Sequence, residues 1–390
     1  MRAYVAGTAA GFAVGWNIAN VGAVATELAR TYGVGLATIG LLTTALFVVH
    51  MAMQIPAGRL VDRFGARRVA LVATVLLMGG NAVALAAPHA SLAFLGRGLT
   101  GLGTATAFVA GSDYIRAHGG SPVAQGIFGG ASVAAPGLAL LVVPQLEPSL
   151  GFRAPFLTSI GVAFAVFLLL AAASPAPRTV AHRDDAIRGD VVRDRRLYRF
   201  AAIHTASFGF SVVVGNWVVT LLQHHGHSHG AAAAAGSLTL LLGFFTRIWG
   251  GWVLRARPQA ARAAVAASLA VGGLATAALA APLPLGALVF AAAVVGLAAG
   301  VPFAIAFAGA AAARSDAPGA AIGFVNGCAA AAILACTPLV GLTFSLPGDG
   351  RIGFLALGAL WALAAATAPR DSDLGLEPRY ARAPARELEV

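Results

Sequence analysis

Apolar residues fall in long unbroken stretches along this chain instead of alternating with polar ones. Each stretch has about 20 residues, the length a helix needs to cross a bilayer core about 30 Å thick. A membrane β-barrel would instead alternate apolar and polar residues over short strands. We therefore predict twelve membrane-spanning helices, called spans 1 to 12, at residues 3–26, 36–57, 69–87, 91–112, 121–144, 154–173, 200–222, 232–254, 261–281, 284–311, 319–344 and 352–368.

The composition supports an all-α integral membrane protein. Hydrophobic residues make up 58% of the chain and charged residues 11%, whereas soluble domains carry about 25% charged residues. The first apolar stretch follows Met1-Arg2 directly and exceeds the apolar core of a signal peptide, so we interpret it as span 1. Cys328 and Cys336 lie within one apolar stretch and match no metal or redox motif, and we predict no cofactor.

The arginines predict the orientation of the chain. The net charge is +11, and every basic residue besides histidine is arginine. With the N-terminus in the cytoplasm, 21 arginines lie in cytoplasmic segments and three, Arg30, Arg153 and Arg351, in outer loops. Cytoplasmic loops of membrane proteins carry the excess of positive charge. We therefore expect a multi-pass protein of the cytoplasmic (inner) membrane with both termini in the cytoplasm, and its basicity requires no nucleic acid.

The chain divides into two similar halves. We predict a six-helix bundle at 1–174, a polar cytoplasmic linker at 175–199, a second six-helix bundle at 200–368 and a cytoplasmic tail at 369–390. The sequence G-I-F-G-G at 126–130 recurs as G-F-V-N-G at 323–327. Repeated halves with a binding site between them are the design of secondary transporters. The loops leave no room for an extramembrane catalytic domain.

Residues 58–68 carry a family resemblance. They read G-R-L-V-D-R-F-G-A-R-R and resemble the signature of the major facilitator superfamily, G-x-L-x-D-R-x-G-x-R-R, in the loop between spans 2 and 3. The resemblance implies twelve helices in two pseudo-symmetric bundles, with both halves latched at their cytoplasmic ends. It assigns the latch to Gly58, Asp62, Arg63, Gly65 and Arg67. A plainer interpretation is that these arginines only fix the topology.

Spans 4 and 8 each carry an arginine within the membrane. Arg97 opens R-G-L-T-G-L-G-T-A, which resembles a second superfamily motif, R-x-x-x-G-x-G-x-A. Arg247 opens R-I-W-G-G-W-V-L-R, which resembles a degenerate second copy of the signature, with Arg255 where Asp is expected. An arginine followed by paired glycines in span 8 also resembles nitrate/nitrite and cyanate-type porters. Nitrate porters carry a second arginine in span 2, where this chain has none.

The polar residues within the spans predict a central binding site. No carboxylate lies near the middle of a predicted span, and buried cations without buried anions favour a negatively charged substrate. We expect a small inorganic or organic anion to be transported by alternating access; the alternative is efflux of hydrophobic or drug-like compounds by proton antiport. The candidate substrate-binding residues are Asn17, His50, Gln54, Arg97, His204, Asn216, Arg247 and Asn326.

Other chemistries are less well supported by the sequence. His50 and His204 could carry protons or could simply hold helices together. The outer sequence H-H-G-H-S-H at 224–229 could bind a transition metal or could be an ordinary polar loop. No hydrolase or nucleotide-binding motif is present, so we predict a monomeric transporter of a small solute in the lipid bilayer, not an enzyme.

Overall fold

The computed structural model describes residues 2–175 and 191–374. All regular secondary structure in these residues is helical. Nine helical segments there are long and apolar enough to span a membrane. Three more helices complete the twelve spans: Arg2–Ala19, Pro122–Leu150 and a shorter apolar helix near the C-terminus. The predicted all-helical architecture with twelve spans is confirmed.

The helix bounds follow the predicted stretches with some shifts. A short helix, Ala25–Tyr32, lies between spans 1 and 2. The observed spans 1 to 6 are Arg2–Ala19, Leu36–Phe64, Ala66–Leu85, Ala90–Ala117, Pro122–Leu150 and Ala154–Ala172. Spans 7 to 12 are Arg195–His224, His229–Leu241 with Gly243–Ala256, Ala261–Leu279, Leu285–Gly300 with Pro302–Ala313, Pro318–Leu342, and Arg351–Leu363.

The two halves meet along a few helix pairs. Span 2 packs extensively against span 11, and span 5 packs against span 8. The predicted linker and tail lie largely outside the described residues, although the helix of span 7 already begins at Arg195, inside the predicted linker. We call the side of the bundle that carries the start of span 1 and the end of span 12 the terminal face, and the other side the opposite face.

Two predicted boundaries near the N-terminus were wrong. Span 1 does not continue to residue 26: its helix ends at Ala19, where the Asn20 side chain bonds the Pro155 carbonyl and the Ser159 hydroxyl, and the chain turns into a separate short helix. The signature at 58–68 is also no loop. Span 2 runs helically to Phe64, and Gly65 alone makes the turn at a positive φ of 87°, a conformation that glycine adopts without a steric penalty.

Three spans of the second half are helices with a local irregularity. Span 7 contains a π-helical turn at Thr205–Gly209, directly after His204. Span 8 has an irregular turn at Leu242, and span 10 has one at Val301, before Pro302, which has no N–H to continue the helical hydrogen bonds. The irregular turns of spans 8 and 10 are in contact. A side chain at Gly300 of span 10 would meet the Gly243 carbonyl of span 8.

The orientation can be tested with single cysteines in a background in which Cys328 and Cys336 are alanine. Leu283 is exposed in a loop on the opposite face, and Arg257 is exposed on the terminal face. We expect a membrane-impermeant maleimide to label Leu283→Cys in intact cells, and Arg257→Cys only after the membrane is permeabilised. The reverse pattern would show that the arginine distribution misassigns the orientation.

Candidate functional site

Glycines bring span 2 and span 11 into backbone contact. A side chain at Gly58 would overlap the backbone of Gly319 and Ala320, and one at Gly323 would overlap the backbone of Gln54. Small residues permit such close approach of helices in membranes. The two halves therefore touch tightly at the terminal face along this pair.

Asp62 strengthens this contact across the two halves. Its Oδ1 accepts a hydrogen bond from the Gly319 N–H at 2.9 Å, and its Oδ2 accepts one from the Ala320 N–H at 3.0 Å. These N–H groups belong to the first turn of span 11, which begins at Pro318. Helix N-termini carry unpaired N–H donors and partial positive charge, so a carboxylate is favoured there. Asp62 thus ties span 2 to the start of span 11.

The other residues assigned to the latch act within their own half. Arg67 donates to the carbonyls of Leu170 and Ala171 at 2.8 and 2.7 Å and so caps the end of span 6. Arg63 is exposed and lies over the neighbouring Phe64 ring. Gly65 makes the turn described above. The structure therefore places Gly58 and Asp62 in the contact between halves, and places Arg63, Gly65 and Arg67 in contacts within the first half.

The contact between span 5 and span 8 repeats this arrangement without the carboxylate. A side chain at Gly126 would overlap the Arg247 carbonyl, and one at Gly251 would overlap the Pro122 carbonyl. By this correspondence Arg247 stands in the second half where Gln54 stands in the first, and Arg255 stands where Asp62 does. Arg255 is exposed. The start of span 5 is capped by its own Ser121, whose Oγ accepts from the Ala124 N–H at 3.4 Å.

Arg97 lies inside the first half, away from the contact between halves. It is 1% exposed; its Nε donates to the Leu42 carbonyl at 3.4 Å and its Nη1 to Asn20 Oδ1 at 3.3 Å. Asn17 is likewise internal, since its Oδ1 accepts from Asn81 Nδ2 at 2.9 Å. These two candidates therefore join helices of one half, which separates them from the predicted central site.

His50 and Gln54 form a short hydrogen-bonded chain on span 2. Gln54 Nε2 lies 2.6 Å from His50 Nε2, and His50 Nδ1 lies 3.0 Å from Thr104 Oγ1. The amide nitrogen can only donate, so His50 Nε2 accepts and Nδ1 carries the hydrogen. Gln54 Oε1 is buried and has no partner in the part of the chain that the structure describes, and the Gln54 side chain faces Gly327 of span 11. This chain therefore reaches the contact between halves.

His204 and Asn326 pair across spans 7 and 11. His204 Nε2 lies 3.2 Å from Asn326 Oδ1, and because this oxygen only accepts, Nε2 carries the hydrogen. His204 Nδ1 is then a buried acceptor with no partner among the described residues. The imidazole stacks on Phe208, with ring centroids 5.3 Å apart. Asn216, by contrast, is exposed and does not join this pair.

Arg247 is the buried cation at the contact between halves. It is 3% exposed, and its Nη1 donates to the Gly129 carbonyl of span 5 at 2.7 Å. The guanidinium lies between two rings, 5.1 Å from the centroid of Phe208 and 4.4 Å from that of Phe303. Cation–π contacts stabilise a guanidinium more strongly when it is removed from water. Arg247 and His204 therefore share Phe208 and Phe303 as neighbours.

Sequence reasoning missed an aromatic cluster beneath these groups. Phe108 and Phe128 of the first half meet Phe303 and Phe307 of the second half, with centroid distances from 4.5 to 6.5 Å. The four-residue spacing of Phe303 and Phe307 after Pro302 was a usable signal, because it places both rings on one helix face. The cluster closes the centre of the protein with rings from both halves.

Phe307 also separates two spaces. On one side it contacts His204, with centroids 5.0 Å apart. On the other it lines a cavity of about 320 Å³ at the terminal face, together with Arg116, Gln125 and Ser315. A smaller cavity of about 10 Å³ lies beside Arg247, room for about one water. The aromatic cluster therefore divides the central polar residues from the terminal face.

Charged groups at the terminal face are paired locally. Arg314 donates to both carboxylate oxygens of Asp316, at 2.8 and 2.6 Å. These hydrogen bonds hold the pKa of Asp316 below its ordinary value, so the pair stays charged at neutral pH. Asp316 is thus occupied by a cation of its own half, whereas Asp62 faces N–H groups of the other half. Within the described side chains, no three His, Cys, Asp or Glu residues group as a metal site.

Comparisons with known proteins identify the family. The profile of the Major Facilitator Superfamily matches residues 7–335, so the chain belongs to this superfamily. It is a multi-pass membrane protein and a secondary transporter working by alternating access, not an enzyme. No curated protein matches the sequence.

Solved structures agree on the fold. The proton:xylose symporter XylE bound to 6-bromo-6-deoxy-D-glucose superposes with a TM-score of 0.74 at 14% identity, covering 94% of each chain. The E. coli fucose:proton symporter FucP gives a TM-score of 0.71 at 14% identity, covering 94% of this chain and 98% of its own. At such low identity these similarities show the shared fold.

We predict that Asp62→Asn weakens closure of the terminal face. The variant removes a negative charge from a helix N-terminus, which should lower the stability of the closed conformation by about 1 kcal/mol. A cysteine replacing Ala311, which is buried in the closed structure and lines the terminal-face cavity, should then be alkylated about fivefold faster in the purified protein.

Arg63→Ala is the matched control for this experiment, since Arg63 belongs to the same signature but lies exposed over Phe64. It should leave the alkylation rate unchanged. Equal rates in Asp62→Asn and the parent protein would mean that the Asp62 hydrogen bonds do not hold the face closed.

Proposed function

We propose that this protein carries a small inorganic or organic anion, of the nitrate, cyanate or carboxylate kind, across the cytoplasmic (inner) membrane. The proposed binding group consists of His50, Gln54, His204, Arg247 and Asn326. The observation that carries the proposal is Arg247, a buried cation at the contact between halves with a backbone carbonyl and two aromatic rings as its described partners.

The charge balance supports an anion over a cation. A buried guanidinium is costly unless it is neutralised or fully hydrogen-bonded. The carboxylates of Asp62 and Asp113 lie towards the terminal-face ends of spans 2 and 4, and Asp113 is already paired with Arg116 at 2.7 Å. A bound anion would supply the counter-charge that Arg247 lacks, through its remaining N–H donors.

The neighbouring groups fit the same ligand. His204 shares the Phe208 and Phe303 rings with the arginine, and Asn326 is bonded to His204. The hydroxyl residues Ser211 and Thr239 line the small cavity next to Arg247. Gln54 holds the corresponding position in the first half. A single guanidinium would bind one negative charge with little discrimination of shape, consistent with several small anions as candidates.

Efflux of hydrophobic or drug-like compounds by proton antiport is the second candidate. The observation favouring it is the cluster of Phe108, Phe128, Phe303 and Phe307, which gives the centre an apolar surface. In that case Arg247 would be a structural residue. The similar solved structures are named as transporters of xylose and fucose, so neutral sugars are a further class to include in any test.

Thermal-shift measurements on the purified protein separate these candidates. A ligand that binds the folded protein raises its apparent stability by mass action. We expect nitrate, cyanate or small carboxylates to raise the Tm of the wild-type protein and to have no effect on Arg247→Met. Arg97→Met is the matched control, because Arg97 is equally buried but bonds within the first half; it should keep the response. A response to cationic dyes or sugars alone would contradict the anion proposal.

Proton coupling is proposed to run through His204 and not His50. Both ring nitrogens of His50 have hydrogen-bond partners, whereas His204 Nδ1 is an acceptor to which no described residue donates. In proteoliposomes with a pH-sensitive dye, His204→Asn should abolish proton movement accompanying the solute. His50→Asn should keep proton movement even where solute affinity falls. Unchanged proton movement in His204→Asn would assign that histidine a structural role.

A further inference from the structure

Arg247 makes a hydrogen bond that links the two halves of the protein. Its Nη1 donates at 2.7 Å to the carbonyl of Gly129, a bond from span 8 of the second half to span 5 of the first. The bond is buried. Arg97 offers a direct contrast, because its bonds to Leu42 and Asn20 remain within the first half.

The surrounding packing fixes the guanidinium in this position. Spans 5 and 8 are in backbone contact at Gly126, and a side chain at Gly129 would overlap the Phe303 ring. The guanidinium lies between Phe303 and Phe208. Moving spans 5 and 8 apart must therefore break the bond to Gly129. The bond can exist only while the terminal face is closed along this helix pair.

The bond is strong but easily exchanged. A hydrogen bond from a charged donor is stronger than a neutral one, and an anionic acceptor is stronger still. Gly129 lies inside the helix Pro122–Leu150, so its carbonyl also accepts the helical N–H four residues on and remains satisfied without Arg247. An anion could thus replace this carbonyl at the guanidinium without leaving a buried acceptor unpaired.

We propose that Arg247 is a latch of the closed terminal face, which its own anionic ligand releases. Without ligand, the guanidinium holds Gly129 and keeps spans 5 and 8 together. A bound anion takes over the guanidinium, the bond across the halves is lost, and this helix pair is free to separate. The release step rests on the anion proposed above; the holding step does not.

The release agrees with the asymmetry between the two helix pairs. Between spans 2 and 11 Asp62 supplies two hydrogen bonds, whereas between spans 5 and 8 the corresponding Arg255 is exposed and supplies no such cap. The Arg247 bond therefore carries more of the closure on its side. A ligand shifts a conformational equilibrium only through its different affinity for the two states, and here the anion would prefer the state in which Arg247 has left Gly129.

Spin-label distances across the terminal face test the proposal. Labels on Arg68→Cys and Arg257→Cys, exposed residues of opposite halves, would be measured by electron double resonance in a background lacking Cys328 and Cys336. Ligand-free Arg247→Met, whose side chain can still fill the slot between the two rings, should show longer distances. The ratio of closed to open protein should fall about tenfold. Arg97→Met is the matched control and should keep the wild-type distances, and Arg247→Lys should restore closure.

Nitrate, cyanate and acetate are the probes for the release step. In the wild-type protein, an anion that raises the Tm should also lengthen the distances, with the same half-saturation concentration. This measurement needs no variant, so it decides the release step even if Arg247→Met does not fold.

The possible outcomes test the holding step, the release step and the anion as substrate separately. Wild-type distances in ligand-free Arg247→Met would overturn the latch, whether or not an anion binds. Binding of an anion without longer distances would overturn the release step and leave the transport proposal intact. Longer distances in Arg247→Met, with no anion raising the wild-type Tm, would support the holding step and refute the anion as substrate.

Discussion

Close backbone contact between helices of opposite halves is the constraint on which the closed terminal face depends. At Gly58, Gly126, Gly251 and Gly323 a single added carbon would overlap the facing backbone. Because the helices approach so closely, a short side chain such as Asp62 reaches N–H groups of the facing helix, and Arg247 reaches a facing carbonyl. Lipid offers no hydrophobic force to press helices together, so packing and interhelical hydrogen bonds must hold the halves.

The two halves use the same frame for different chemistry. The position that holds the amide Gln54 in the first half holds the cation Arg247 in the second. The position that holds the carboxylate Asp62 holds the exposed Arg255. One contact is therefore anchored near the membrane surface by a carboxylate on a helix N-terminus, and the other in the buried centre by a guanidinium on a carbonyl. The two halves share this geometry, while the side chains distinguish a carboxylate near the surface from a buried guanidinium at the centre.

Much of the fold followed from the sequence, and less of the site did. Long apolar stretches determine helices in a bilayer because every backbone group must be paired within its own segment. The resemblance to the superfamily signature predicted that Gly58 and Asp62 join the two halves. The structure shows why these residue types stand there: Gly58 lets span 11 approach closely, and the Asp62 carboxylate accepts hydrogen bonds from its N-terminus. Hydropathy could not show that Arg97 and Asn17 face helices of their own half. One buried side of a span faces its own half and another faces the other half, and both can carry polar residues. It also gave no sign that Arg247 would lie between Phe208 and Phe303, which come from different spans.

The irregular turns in spans 7, 8 and 10 give the second half joints at its centre. An unbroken helix behaves as a stiff rod and passes a push at one end to the other, whereas a missing or lengthened backbone hydrogen bond creates a joint. Spans 1 and 4 have no such interruption, whereas each internal proline of spans 2 and 5 leaves one helical hydrogen bond unmade. The joints of the second half cluster at the level of His204 and Arg247. Forces on these two residues can therefore bend the second half locally, at the centre of the protein.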